Sequence, residues 1–143
     1  MALPAPLPAD DGTRSPVALI SGLVMEAHAL QALHLAKNTE VWRPSPEQVG
    51  SPNFREIVGS PHFTPTGLAR GTVLDSVDAG LAEIKSGGST LESTYQLRLQ
   101  TYRSIVERKP LTIYTSRPVD IDFGHWLNPH GVAIKPLPPE PEP

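Results

Sequence analysis

Leu74-Asp75-Ser76-Val77-Asp78-Ala79-Gly80-Leu81-Ala82-Glu83-Ile84-Lys85-Ser86-Gly87 is the stretch whose reading decides the fold of this chain. Asp78-Ala79-Gly80 suits a three-residue hairpin loop, a type I turn followed by a residue of positive φ, where glycine carries no steric penalty. With that loop, Val77 pairs with Leu81 and Asp75 falls opposite Glu83. Side chains alternate along a strand, so Val73, Asp75 and Val77 share one face and Leu81, Glu83 and Lys85 share the matching one. Two like charges directly opposite each other are destabilising unless something neutralises them. A divalent cation would do so: Mg2+, with Mn2+ as the alternative, takes hard oxygen ligands from one or two carboxylates, waters and substrate phosphate. A neighbouring ammonium, here Lys85, can orient a water or offset charge developing on a phosphate. A two-residue loop at Asp78-Ala79 would instead place Asp75 and Glu83 on opposite faces.

Upstream, Ser15-Pro16 reads as an N-cap followed by proline in the first helical position, and helical periodicity continues to about Lys37. One stripe of that helix runs Leu19, Leu23, Glu26, Leu30, Leu33, so an acid interrupts an apolar row. A buried carboxylate is costly unless it is paired or bound to metal; the alternative is a glutamate at the edge of the stripe, snorkelling or paired with an arginine. Downstream, Ser89-Thr90-Leu91-Glu92 fits a capping box, predicting a helix to about Glu107 that Lys109-Pro110 ends. Leu91, Tyr95, Leu99, Tyr102 and Val106 form its packing stripe, and Gln96, Gln100 and Arg103 an adjacent polar one.

If Glu40-Val41-Trp42 supplies a short strand, the order becomes helix, strand, hairpin, helix and the apolar run Leu111–Thr115. That succession predicts an α/β fold with an αβββαβ core, a mixed central sheet flanked by helices. The helix between Lys85 and Leu111 permits the crossover that parallel neighbours require. A short helix over Ile121–Leu127 and a last strand over Val132–Lys135 complete the expectation.

Asp75 followed by Glu83-Ile84-Lys85 resembles the active-site motif of the PD-(D/E)xK, or restriction-endonuclease-like, nucleases, with Leu74 standing where that motif often has proline. The runs Glu83–Gly87, Tyr95–Tyr102 and Pro110–Val119 look like the restriction-endonuclease-fold toxin domains at the C-termini of bacterial polymorphic toxins; the likeness spans about half the chain, Gly71 to Leu137. The resemblance implies a nuclease in which Asp75, Glu83, the Ile84 backbone carbonyl and Glu26 hold the metal. It also implies that Lys85 and Gln96 complete the catalytic set, and Gln100, Arg98 and Arg103 are expected at the substrate. It implies DNA as substrate, with RNA (for example tRNA) cut by the same site as the alternative, and an inactive binding or adaptor module as the other class. It further implies a secreted effector of bacterial competition, neutralised by a cognate immunity protein, carried as part or cargo of a larger secretion-system protein and acting in the target-cell cytoplasm.

The 143 residues suffice for one core without staples, and zero cysteines exclude disulfides and thiolate zinc sites. No run is long and apolar enough to span a bilayer, and Met1–Asp11 lacks the basic start and apolar centre of a signal peptide, so export without a cleaved leader and no membrane insertion are expected. The net charge of −3 runs against a nucleic-acid binder. Distribution softens this: Asp10, Asp11, Glu140 and Glu142 lie near the ends, and without those four the balance would be +1. Lys85, Arg98, Arg103, Arg108, Lys109 and Arg117 fall in the second half and are expected around the site.

Seventeen prolines mark the organisation. Residues 1–14 and 138–143 read as flexible proline-rich tails around one domain, 15–137. Within it, 43–70 is a long irregular connection interrupted by a short helix that Ser51-Pro52 opens and Gly59 closes. A long loop in a small domain is usually functional or disordered, and this one is expected to wall the cleft or meet a partner. The five histidines form no recognisable zinc spacing, and Gly87-Gly88 lacks the lysine of a phosphate-binding loop.

Overall fold

A computed structural model describes residues 16–139, with side chains from Gly22 onward; Ser15, the Leu19 side chain and most of both expected tails lie outside the described residues. The first helix, α1 (Pro16–Ala32), is followed by two short ones, α2 (Pro46–Val49) and α3 (Pro52–Ile57). Then come β1 (Leu81–Lys85), α4 (Tyr95–Glu107), β2 (Leu111–Thr115), α5 (Ile121–Leu127) and β3 (Ala133–Pro136). The chain is thus α/β, with the strands in the order β1-β2-β3.

Both pairings in this sheet are parallel: Glu83 stands beside Ile113 and Lys85 beside Thr115, while Ile113 pairs with Ile134. α4 supplies the β1–β2 crossover that the sequence calls for. The sheet is not mixed, because the antiparallel partners expected at its edge shrink to single bridges, Trp42 to Thr72 and Ser76 to Ala82. The hairpin register is nonetheless the expected one, since Ser76 opposite Ala82 sets Val77 against Leu81 and Asp75 against Glu83. Gly80 takes the positive φ of 81° that closes the loop.

Every residue of β1 is buried, because α1 covers one face and the main core the other. Leu81 joins Leu74, Leu97, Leu111, Ile113, Phe123 and Leu127 in that core. Ile84 points oppositely and packs on Ala29 and Leu30 of α1. α4 is buried on two sides: Leu97 faces the sheet, while Tyr95, Leu99 and Tyr102 face Phe54, Ile57 and Val58 of the α3 region. Phe54 meets Tyr102 edge-on at 5.1 Å, a favoured aromatic geometry.

Two helix boundaries differ from expectation. α1 stops at Ala32 because His34 adopts φ 56°, with Leu35 N donating to Leu30 O at 2.9 Å and His34 N to Gln31 O at 3.1 Å. This is a Schellman closure that normally signals itself by glycine. α4 begins at Tyr95 because Thr94, not Ser89, caps it, its side chain accepting from Leu97 N at 3.1 Å. Leu91 is drawn instead into a parallel bridge with Val119. Ser51 caps α3 and Gly59 follows with φ 90°, as the sequence indicates; α2, with its Ser45/Gln48 capping box, is an additional turn of helix. No helix among the described residues is long and apolar enough to cross a membrane.

Candidate functional site

The hairpin arms part just beyond the Ser76–Ala82 bridge. The Asp75 Oδ2 accepts the Ile84 amide at 2.7 Å, while Asn38 donates through Nδ2 to Leu74 O and through its backbone N to Asp75 O, both at 2.9 Å. The polar groups that would have continued the ladder are therefore occupied by Asp75 and Asn38. A strand residue directs its N–H and C=O to the same edge, so the Ile84 carbonyl lies on the Asp75 side of β1.

Beyond the parting lies a cleft of about 450 Å3. Asp75, Glu83, Ile84 and Lys85 line it from the hairpin, Leu23 and Glu26 from α1, Gln96 and Gln100 from α4, and Arg43, Thr64, Arg70 and Gly71 from the long connection. Glu83 and Lys85 are only 7% and 6% exposed, with Lys85 Nζ 3.6 Å from Glu83 Oε2. Among the described residues, the other oxygen, Glu83 Oε1, is buried with no hydrogen-bond partner. A desolvated carboxylate oxygen of this kind is costly without a proton or a cation.

Asp75 is the other half of that imbalance. Burial first, then the Glu83 charge and the hydrogen-bonded Glu26 carboxyl, push the Asp75 acid up to about 10. Glu26 moves the opposite way, held low by its hydrogen bond with Asp75 and by Lys37. The pair thus shares one proton, with Asp75 as its bearer and Glu26 as the anion. Lys37 forms an ion pair with Glu26, and that contact raises the lysine.

Among the described residues, no group of three or more histidine, cysteine, aspartate or glutamate side chains is disposed to hold a metal ion. Glu26, expected among the ligands, lines the cleft with its carboxylate paired to Lys37 and hydrogen-bonded to the Asp75 carboxyl. A magnesium site needs fewer groups, one or two carboxylates completed by waters and phosphate. Asp75, Glu83 and the Ile84 carbonyl fit that donor chemistry, all hard oxygens, and the unpartnered Glu83 Oε1 is the atom such a cation would satisfy.

Gln96 and Gln100 line the cleft and each donates an amide N–H to its wall. Gln96 Nε2 donates to Gly71 O at 3.3 Å and Gln100 Nε2 to Thr72 Oγ1 at 3.0 Å, next to the Tyr95 hydroxyl on Arg70 O at 3.0 Å. Three side chains of α4 therefore tether residues 70–72 in succession. Arg98 and Arg103 are not brought to the cleft: Arg98 lies beside Gly59, and Arg103 sits 5.6 Å over the Trp42 ring and bonds Glu107 at 3.2 Å. Of the second-half bases only Lys85 lines the cleft. Arg117 bonds Ser86 O at 2.6 Å and Lys109 pairs with Glu107.

The cationic wall is instead Arg43 and Arg70, at the two ends of the connection 43–70, which does wall the cleft. No pattern in the sequence singles them out, because Gly71 meets Trp42 and Arg43 only through the fold. A Cβ on Gly71 would stand 2.4 Å from Trp42 O and 2.9 Å from Arg43 Cγ. Nearby, His62 stacks on Tyr95 at 4.0 Å and is held below its ordinary value by burial and then by Arg70 and Arg98. Comparison of the chain with protein-family models, curated proteins and solved structures returns no match.

Proposed function

We propose that this chain is a magnesium-dependent nuclease of the restriction-endonuclease-like fold, hydrolysing phosphodiester bonds of DNA. One observation carries the reading: two carboxyl groups and an ammonium from adjacent hairpin arms line a single cleft, with one carboxylate oxygen buried and unpartnered among the described residues. The αβββαβ order supports the fold assignment if the Trp42–Thr72 and Ser76–Ala82 bridges are counted as reduced strands beside the parallel sheet.

Asp75, Glu83 and the Ile84 carbonyl would hold the ion. Bound there, magnesium supplies Lewis acidity toward a phosphodiester oxygen and lowers the pKa of a water. Lys85 has a distinct task. Its ammonium, buried beside Glu83, can hold a water for attack on phosphorus or offset the charge that grows on the non-bridging oxygens. Glu26 fixes the Asp75 carboxyl and carries its charge on Lys37. Gln96 and Gln100 act as positioning residues that hold the 70–72 wall.

The resemblance of the hairpin and α4–β2 segments to polymorphic-toxin domains extends the proposal. In that setting the nuclease is the toxic effector of a bacterial competition system, delivered by a specialised secretion route and neutralised by an immunity protein. The test is incubation of the purified chain with plasmid DNA and with total RNA, with magnesium and with chelator, alongside Lys85→Ala. Metal-dependent DNA cleavage lost in the variant is expected. Activity indifferent to both chelation and Lys85→Ala would reject the mechanism, and cleavage of RNA alone would replace the substrate.

A further inference from the structure

We propose that Arg43 and Arg70 are the phosphate-gripping half of the cleft, holding the polynucleotide backbone beside the bond to be cut; this rests on the nuclease reading and deepens it. The cleft is bipolar. Glu26, Asp75 and Glu83 stand on the α1 and hairpin side, and Arg43 and Arg70 on the long connection. A polyanion entering such a cleft is repelled by the Glu26 and Glu83 carboxylates unless an opposing wall attracts it, and two guanidinium groups are the side chains best shaped for phosphate oxygens.

Their placement is built rather than incidental. Residues 62–70 form a small hairpin with a Phe63–Ala69 bridge. Thr64 N donates to Leu68 O and Arg70 N to His62 O, both at 2.7 Å, and Thr64 Oγ1 accepts from Leu68 N at 3.1 Å. Arg43 Nη1 donates to Ala69 O at 2.9 Å, which binds one guanidinium to the strand that carries the other and leaves further donors of the fork for a ligand. Tyr95 fixes the Arg70 carbonyl, Gln96 the Gly71 carbonyl, and the Trp42–Thr72 bridge closes the frame. Both arginines remain exposed while their backbones are held from both sides. Such preorganisation lowers the ordering cost of binding.

The experiment measures binding apart from cleavage. A fluorescein-labelled single-stranded DNA oligonucleotide is titrated with the full chain in chelator at several salt concentrations, read by anisotropy. Arg43→Ala/Arg70→Ala is expected to bind at least ~10-fold more weakly and to flatten the log–log salt slope by about 1.4, the share of two phosphate contacts on a single strand. Arg55→Ala/Arg108→Ala, which removes two exposed arginines outside the cleft, is expected to match wild type within about two-fold. Arg70→Glu, a reversal at an exposed side chain, is the second variant and should weaken binding further than Arg70→Ala. Equal affinity and slope in the cleft variants, an equal loss in the control pair, or no binding by wild type would overturn the assignment. Plasmid cleavage with magnesium is scored separately. A wild type that cleaves while its binding ignores both arginines loses the grip and keeps the nuclease; one that binds through them without cleaving does the reverse.

Discussion

Asp75 accepts the Ile84 amide across the hairpin at 2.7 Å, and this bond is the reason the antiparallel arms end where the cleft begins. A side-chain acceptor has taken the place of the Leu74 carbonyl, which Asn38 occupies instead. The same bond pins the Asp75 carboxyl between Glu26 and Glu83, in surroundings where burial and two acids both oppose its ionisation.

That tension predicts a trade between stability and activity. Asp75 has an ordinary value of 3.8 and is raised to about 10 in the fold, so between those limits the folded chain holds a proton that the unfolded chain has lost. Stability therefore falls as pH rises through this window. Glu26, lowered from 4.5, contributes in the other sense, a stabilisation lost as pH drops below that value. Asp75→Asn keeps the shape without the ionisation. It should raise Tm near pH 8 by about 3 °C, on the scale of ~1 kcal/mol, flatten the alkaline fall in stability, and abolish cleavage. Thermal melts across pH, showing Asp75→Asn less stable than wild type at alkaline pH, would contradict the protonated pair.

Under the proposed mechanism, magnesium binding displaces the shared proton, because a ligand carboxyl has to ionise. Affinity is expected to climb with pH between about 6 and 9, with close to one proton released per ion. Isothermal titration in buffers of different ionisation enthalpy reads that proton directly. Affinity independent of pH would remove Asp75 from the ligand set.

Lys85→Ala should separate two effects of one side chain. Removing the ammonium leaves Glu83 buried without its 3.6 Å partner, costing about 3 kcal/mol, and should lower cleavage at least ~100-fold. Glu83→Gln/Lys85→Met removes both charges, so denaturant unfolding should recover part of the lost stability while activity stays absent. If the double variant regained activity, neither residue would belong to the chemistry.

The hairpin, its register and the α4 crossover were legible because each rests on local signals: Asp78-Ala79-Gly80, the alternation about it, and the apolar runs of β1 and β2. Glu26, as an acid interrupting a stripe, pointed to the cleft that it lines. What could not be read was how nonlocal partners spend their polar groups. Asn38 dismantles the first arm as a strand from 36 residues away, His34 ends α1 without a glycine signal, and Arg98 and Arg103 lie beside Gly59 and over the Trp42 ring. Charge counting along the chain placed the basic wall in the second half, whereas the fold recruits it from the two ends of a loop.

Gly71 tests whether the two walls of the cleft depend on one backbone contact. Its φ is not in the left-handed region, so conformational freedom is not why glycine stands there. The cause is proximity: any Cβ would meet Trp42 O at 2.4 Å, Val41 Cγ1 at 2.7 Å and Arg43 Cγ at 2.9 Å. Two of the three obstacles belong to the neighbouring segment's backbone carbonyl and to a β-branched side chain, which cannot swing clear as a long flexible chain would. Gly71→Ala must therefore push residues 41–43 away, strain the Trp42–Thr72 bridge and shift Arg43 from Ala69. The expected destabilisation is about 1–3 kcal/mol, and hydrogen exchange should speed up at the Trp42 and Thr72 amides, which bond each other's carbonyls at 2.8 and 2.9 Å. Exchange at the Ala82 amide, bonded to Ser76 O at 3.0 Å on the hairpin itself, should change much less. Uniform acceleration at all three amides would mean that the loop wall and the β1 hairpin open as one unit.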